Sequence, residues 1–309
     1  MIFPLSPMNK LTSIFLAARP KTLPAGLVAV WAGCLIVWKF EHYMPSLGIS
    51  LNWTLAAFTA LSCMCLQIAS NIFNDAIDTL KHADTERRQG PRRITASGDF
   101  SPRTVLLIGA CFLAAAAGFA IPLIYQQGPA VIAIGLPCMA ASYCYTGGPY
   151  PLSYHGLGEL CVLVFFGLVA VAGTVFVQIG WIPEWAPVYR CAFIVGVQCG
   201  ILSCLLIEVN NIRDRVEDAS TGKRTLAVRL GDSRARGLAL AFLILPYATI
   251  RWTGMFLPGF HWNICWLAAI IVGGVILLKL HTTPANKKMN VMLGLASLHA
   301  MLFLLALSM

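Results

Sequence analysis

The chain is written mostly in long apolar runs broken by short polar stretches. Crossing a bilayer takes about 17 to 25 mainly apolar residues. Nine segments qualify: 22–38, 52–76, 103–124, 128–146, 156–179, 189–212, 234–253, 262–280 and 289–308. Pro137 and Pro246 fall inside the fourth and seventh, a position that packed membrane helices tolerate. Ahead of the first run, Leu11, Ile14, Phe15 and Ala18 share one helical stripe, which predicts that residues 1–21 include a short helix lying in the interface. The pattern predicts an all-α polytopic membrane protein, with residues 1–309 forming a single transmembrane domain.

Composition reinforces the pattern. Hydrophobic side chains make up 58% and charged ones 11%, which excludes a solvated globule. Lys and Arg number 22 against 13 Asp and Glu, a net charge of +9 that in a soluble protein would suggest nucleic acid. Here position matters more than the sum. With nine alternating spans, all of the Lys and Arg except Lys39, Arg190 and Arg251 lie on one side, together with the N-terminus. The positive-inside rule makes that side cytoplasmic, in keeping with a bacterial cytoplasmic (inner) membrane and with a lipid bilayer rather than nucleic acid as partner. The eleven cysteines lie in or beside apolar runs without a CxxC pair, and read as small buried hydrophobes. No uninterrupted apolar h-region and small-residue cleavage site mark a removed signal peptide.

The ionisable chemistry gathers in two segments after the second and sixth spans, near 78–102 and 213–233. The first reads "NDAIDTLKHADTERRQGPRRITASGDFSPR" and the second "NNIRDRVEDASTGKRTLAVRLGDSRAR". Each runs from Asn through spaced Asp to a Gly followed by paired bases, and then to Gly-Asp, which suggests a duplication or a two-sided site. Gln67, Asn71, Asn74 and Asp78 stand at i, i+4, i+7 and i+11, one polar stripe on an apolar helix. Asp84 lies too far round for that face, so the helix is expected to break before it, and Asp75 is offset into a supporting position. Asn211, Asp214 and Asp218 form the matching stripe at i, i+3 and i+7. Intramembrane polar residues are costly and functional by default.

Hard oxygen donors without His or Cys select Mg²⁺, which takes one or two carboxylates together with phosphate oxygens. Two such clusters fit metals with a diphosphate between them. Asn74, Asp78, Asp84, Asn211, Asp214 and Asp218 are the candidate ligands. Arg92, Arg93, Lys223 and Arg224 are the candidate counter-charges for the diphosphate. Glu86, Asp99, Glu217 and Asp232 read as acids that neutralise neighbouring bases.

With these motifs in place, the sequence resembles the UbiA superfamily of intramembrane aromatic prenyltransferases. Its first motif, N-x-x-x-D with a further Asp, is met by Asn74, Asp78 and Asp84; its second, D-x-x-x-D after an asparagine pair, by Asn210, Asn211, Asp214 and Asp218. The stretches "ARPKTLPAG", "QIASNIFND", "GPRRITASG", "YTGGPYPLSYHGLGEL", "FFGLVAVAGT" and "NNIRDRVEDASTGKRTLAVRLG" resemble the MenA branch, which prenylates 1,4-dihydroxy-2-naphthoate. The six-residue spacing from Asp78 to Asp84 is a variant shared with that branch. The resemblance implies a nine-helix bundle around a central cavity, Mg²⁺ dependence, a polyprenyl diphosphate donor and an aromatic acceptor. It also implies loss of carbon dioxide and diphosphate, giving demethylmenaquinol for menaquinone biosynthesis.

On this reading the acid clusters and bases stabilise the departing diphosphate. An allylic cation forms in an apolar chamber, and the electron-rich ring attacks it. Tyr143 and Tyr145 are candidates for facing the cation, with an interfacial belt as the alternative. Arg19 and Lys21 are candidates for the acceptor's carboxylate or the diphosphate, or serve as topological anchors. Gln67, Asn71 and Glu208 complete the candidate acceptor pocket, and Glu159 is a second acid inside an apolar span. Gly147-Gly148-Pro149 predicts a tight turn. Other readings are a relative acting on 1,4-dihydroxy-6-naphthoate, 4-hydroxybenzoate, homogentisate or a haem- or chlorophyll-type acceptor, and a secondary transporter, whose acids would sit mid-span.

Overall fold

The computed structural model describes residues 9–20, 22–84, 89–181 and 186–309. Among them the chain is helical, with no strand. In order, the helices are α1 (Lys10–Ala17), α2 (Pro24–Tyr43), α3 (Trp53–Leu80), α4 (Pro102–Gln127), α5 (Ala130–Cys144) and α6 (Gly158–Val162). A π-helical stretch, Leu163–Val169, continues α6 into α7 (Ala170–Ile179). Then come α8 (Ala186–Ser220), α9 (Leu226–Leu230), α10 (Asp232–Ala248), α11 (Ile250–Phe256), α12 (Ile264–Leu280) and α13 (Met289–Ser308).

Local sequence explains several of the ends. Asn52 caps α3 by accepting from the amides of Thr54 and Leu55. Ser101 caps α4 ahead of Pro102, which suits a first-turn position because it lacks an N–H. Past Leu80, His82 takes a left-handed φ of 56° and the Ala83 amide turns back to the Asp78 carbonyl at 2.8 Å, closing α3 before Asp84.

Every predicted span overlaps helical residues. Among the described residues seven helical runs, counting α6 through α7 and α10 with α11 as one run each, are long and apolar enough to cross a membrane, whereas α5 and α12 are shorter, with 15 and 17 residues. At 1.5 Å per residue these two reach about 22 to 26 Å, somewhat less than the roughly 30 Å hydrocarbon core. The protein is a multi-pass integral membrane protein.

The apolar spans end at 76 and 212, but their helices run on, α3 to Leu80 and α8 to Ser220, as the polar stripes through Asp78 and Asp218 and the expected break before Asp84 require. Hydropathy marks where apolar residues end, whereas the helices continue because their acidic last turns find partners inside the protein. In α1 the apolar stripe is turned outward, the orientation that a helix lying in the interface takes. Leu11 and Phe15 are 76% and 62% exposed, while Ser13 and Ala17 are buried, so the greasy face points away from the bundle.

The main core joins α2, α7, α8 and α13 through residues such as Ile36, Phe40, Val175, Val195 and Phe303. A second joins α8, α10, α12 and α13 around Leu205, Ile212, Ile276 and Met292. The π-helical stretch crosses α8 at three glycines, Gly167 against Gly196 and Gly200, so the backbones meet with no side chain between them.

Candidate active site

α3 and α8 bring their acidic ends to the same end of a large cavity. In the first cluster Arg93 is the organising group. Its Nη2 donates to Asp78 Oδ2 at 2.9 Å and to Asn74 Oδ1, and its Nε donates to Asp84 Oδ1 at 3.3 Å. Burial alone would favour losing the proton, but Asp84, Asp78, Asp75 and Asp214 outweigh it and hold the guanidinium charge more firmly than usual. Asp78 also accepts from the Tyr154 hydroxyl at 2.8 Å and from Lys223 Nζ at 3.3 Å, which ties α3 to the loops after α5 and α8. Burial and the neighbouring Asp78 carboxylate push the Tyr154 phenol well above its usual range. Lys81 Nζ lies 4.5 Å from the centre of that ring and donates to the Thr146 carbonyl, its pKa lowered mainly by burial.

Asp75 faces the other way. Its two oxygens accept the amides of Ile94 and Thr95, both at 3.0 Å, so it pins the loop that carries Arg93. The polar stripe ahead of it holds down the N-terminal segment: Gln67 donates to the Thr22 carbonyl, Asn71 to the Ala18 carbonyl, and Asn74 accepts from Arg19 at 2.7 Å. Arg19 itself follows the end of α1 with a left-handed φ of 54°.

In the second cluster Arg213 grips Asp214 with Nε and Nη2 at 2.8 and 2.6 Å and also reaches Asn210 and Asn290. Asn211 donates from Nδ2 to Glu159 Oε1 at 2.7 Å. Lys223, contributed by the loop after α8, makes the direct bridge to the first cluster.

A cavity of about 680 Å³ opens beneath these groups. At its polar end stand Arg19, Asn74, Arg92, Arg93, Asn211, Asp214, Asp218 and Lys223, and deeper in lie Val30, Leu66, Leu123, Val131, Phe165 and Val177. Gln67, Asn71 and Tyr145 also line it. The cavity therefore has a charged mouth and an apolar body.

Several candidates stand elsewhere. Asp78 and Asp84 lie behind Asn74 and Arg93 and do not line the cavity. Arg224 is exposed and engages through its backbone, with its amide on the Tyr154 carbonyl. Tyr143 is 42% exposed and packs edge-on against Phe73, because two positions along a helix turn it away from Tyr145. Glu208 is fully buried against Glu159 rather than at the cavity wall. Lys21 and Glu86 lie outside the described residues. Of the acids read as neutralising bases, Asp99 takes Arg92 at 2.7 Å and Asp232 takes Arg236 at 2.8 Å. Sequence reasoning missed Tyr154, Arg213 and Thr146, which accepts from Asn74 Nδ2 at 2.9 Å. The only signal for Arg213 was its place beside Asp214.

Among the described residues no group of three or more His, Cys, Asp and Glu side chains forms a ready-made metal cage. Oxygen donors from Asn and Asp at both helix ends nonetheless suit Mg²⁺, which completes its shell with water and phosphate oxygens.

Comparison with known proteins settles the family. The model of the UbiA prenyltransferase family matches residues 43–292. The chain belongs to the UbiA prenyltransferase family. A 1,4-dihydroxy-2-naphthoate octaprenyltransferase of Mycobacterium tuberculosis is 37% identical over 72% of this chain and 70% of its own. One from Haemophilus influenzae is 33% identical over 79% and 80%. Among solved structures, a UbiA homolog from Archaeoglobus fulgidus bound to DMAPP and Mg²⁺ superposes with a TM-score of 0.62 at 16% identity, over 95% of this chain and 97% of that one. An apo UbiA homolog from Aeropyrum pernix gives 0.67 at 14%, over 92% and 97%. The UbiA family assignment removes the transporter reading, and the shared fold extends over nearly the whole chain.

Proposed function

We propose that this protein transfers a polyprenyl group from polyprenyl diphosphate to 1,4-dihydroxy-2-naphthoate, giving demethylmenaquinol in menaquinone biosynthesis. The observation that carries the reading is a charged mouth built from both UbiA motifs above an apolar chamber, in a chain whose relatives are named for this acceptor.

In the reaction the donor's allylic C–O bond breaks and its electron pair leaves with the diphosphate. The naphthoate ring forms the new C–C bond at the carbon carrying the carboxylate, and the electrons of the carboxylate bond return to the ring as carbon dioxide departs. Asn74, Asp78, Asp84, Asn211, Asp214 and Asp218 would hold Mg²⁺, whose charge stabilises the departing diphosphate when bound. Arg92, Arg93 and Lys223 supply fixed positive charge at the same end of the cavity. Phe165, Val162 and Leu206 exclude water from the chamber, and Tyr145 offers a π-face to the developing cation. Arg19, with Gln67 and Asn71 beside it, offers a positive charge for the acceptor's carboxylate.

This reading has nine spans, as the hydropathy pattern suggests, in a bacterial inner membrane, and the distribution of Lys and Arg supports a cytoplasmic N-terminus and mouth. The test is to incubate purified protein with Mg²⁺, a polyprenyl diphosphate and a panel of naphthoate, hydroxybenzoate and homogentisate acceptors, and to weigh the products. Prenylated naphthoquinol is expected. Product from another acceptor alone would overturn the choice of substrate.

A further inference from the structure

Glu159 is an acid that the mechanism above does not use. It lines the cavity yet is only 5% exposed, and it stands on α6 directly across from the second cluster on α8. Its Oε1 takes the amide nitrogen of Asn211 at 2.7 Å. Behind it, Glu208 is fully buried one helical turn before Asn211, with its carboxyl beside that of Glu159. Glu159 Oε2 and both Glu208 oxygens have no donor among the described protein groups.

This arrangement decides which way the Asn211 amide points. An asparagine presents either its oxygen or its nitrogen to a ligand, and only the oxygen binds a hard cation. With Nδ2 committed to Glu159, Oδ1 is the end left for the cavity. We propose that Glu159 is a positioning residue, which fixes the Asn211 amide with its oxygen toward the metal–diphosphate site, and that Glu208 braces Glu159 from behind. The inference rests on the prenyl diphosphate reading above.

The test measures metal binding and not turnover. Mn²⁺ affinity is read by electron paramagnetic resonance in detergent with a non-hydrolysable prenyl diphosphate present. Glu159→Ala and Asn211→Ala are each expected to weaken Mn²⁺ by about tenfold, the worth of one well-placed polar contact. The double variant is expected to be no weaker than either alone, because both remove one interaction. Glu159→Gln retains an acceptor oxygen and is expected to restore binding to within about threefold. Asn211→Asp adds a carboxylate but faces Glu159 with no donor, so it too is expected to bind less well; it tests the idea even where Glu159→Ala fails to fold. Additive losses, unchanged affinity in Glu159→Ala, or tighter binding in Asn211→Asp would overturn the assignment. If the wild-type protein binds no Mn²⁺ with the diphosphate, the functional reading itself fails.

Discussion

Arg93 Nη2 lies 2.9 Å from Asp78 Oδ2, with the two side chains 4% and 1% exposed. The same guanidinium holds Asn74 and Asp84, so one arginine engages every oxygen side chain of the first UbiA motif. Without a divalent cation, Arg93 is the positive charge that both carboxylates share in a low-dielectric site, with Lys223 as a second partner of Asp78. Removing one partner of a buried ion pair costs about 3 to 5 kcal/mol. Arg93→Gln should therefore lower the unfolding temperature of metal-free protein in detergent by several degrees. Millimolar Mg²⁺ should restore more stability to the variant than to the wild-type protein. Equal losses with and without Mg²⁺ would show that the arginine and the metal do not share these ligands.

Asp78 and Asp214 belong to different helices, and each is gripped by an arginine on its own side of the cavity. Replacement by Asn retains shape and one acceptor oxygen while removing a charge. Asp78→Asn and Asp214→Asn are each expected to reduce prenyl transfer by at least about a hundredfold, the scale of losing one electrostatic contact to a developing charge. Elution volume in gel filtration should stay unchanged. Near wild-type turnover in both variants would remove the two-cluster site.

The polar stripe on α3 and its partner on α8 were legible because a helix repeats every three to four residues and a charged side chain in an apolar run is rarely idle. Asp75 was separable from Asp78 for the same reason: one step along the helix sends it to the amides of Ile94 and Thr95. The positions of Asp78 and Asp84 behind Arg93 were not legible, because a base 15 and 9 residues along the chain reaches them only through a loop whose path no local pattern records. The Tyr154 contact with Asp78 and the Glu159 contact with Asn211 join residues 76 and 52 positions apart and depend on how the helices assemble. Tyr143 and Tyr145 show the converse limit. Both are aromatic near a helix end, and only the rotation of α5 in the bundle decides which one faces the cavity.

Asp75 gives a sharper stability test. Both its oxygens accept buried amides of the loop that carries Arg92 and Arg93. Asn at this position keeps one acceptor and turns an N–H toward the other amide. Leaving a buried donor unsatisfied costs about 1 to 3 kcal/mol. Asp75→Asn should lower the unfolding temperature and also weaken binding of a prenyl diphosphate analogue, since the loop's arginines lose their anchor. Normal diphosphate affinity in a destabilised variant would limit Asp75 to a folding role.

The glycine crossing behind the cavity wall yields a prediction far from any charge. A Cβ on Gly167 would lie 2.5 Å from the Gly196 carbonyl oxygen and 2.7 Å from the Gly200 Cα. Both are backbone atoms of α8, so no side chain can rotate aside and the helices must separate. Overpacking of this kind typically costs about 1 to 3 kcal/mol. Phe165 and Phe166, on the same π-helical stretch, line the cavity, so the separation also moves its wall. Gly167→Ala should lower the unfolding temperature and raise the KM for the prenyl donor, with little change in Mn²⁺ affinity because the acid clusters sit at the cavity's other end. A drop in Mn²⁺ affinity matching the loss of donor binding would mean that the crossing positions α8 as a whole, the acidic end included.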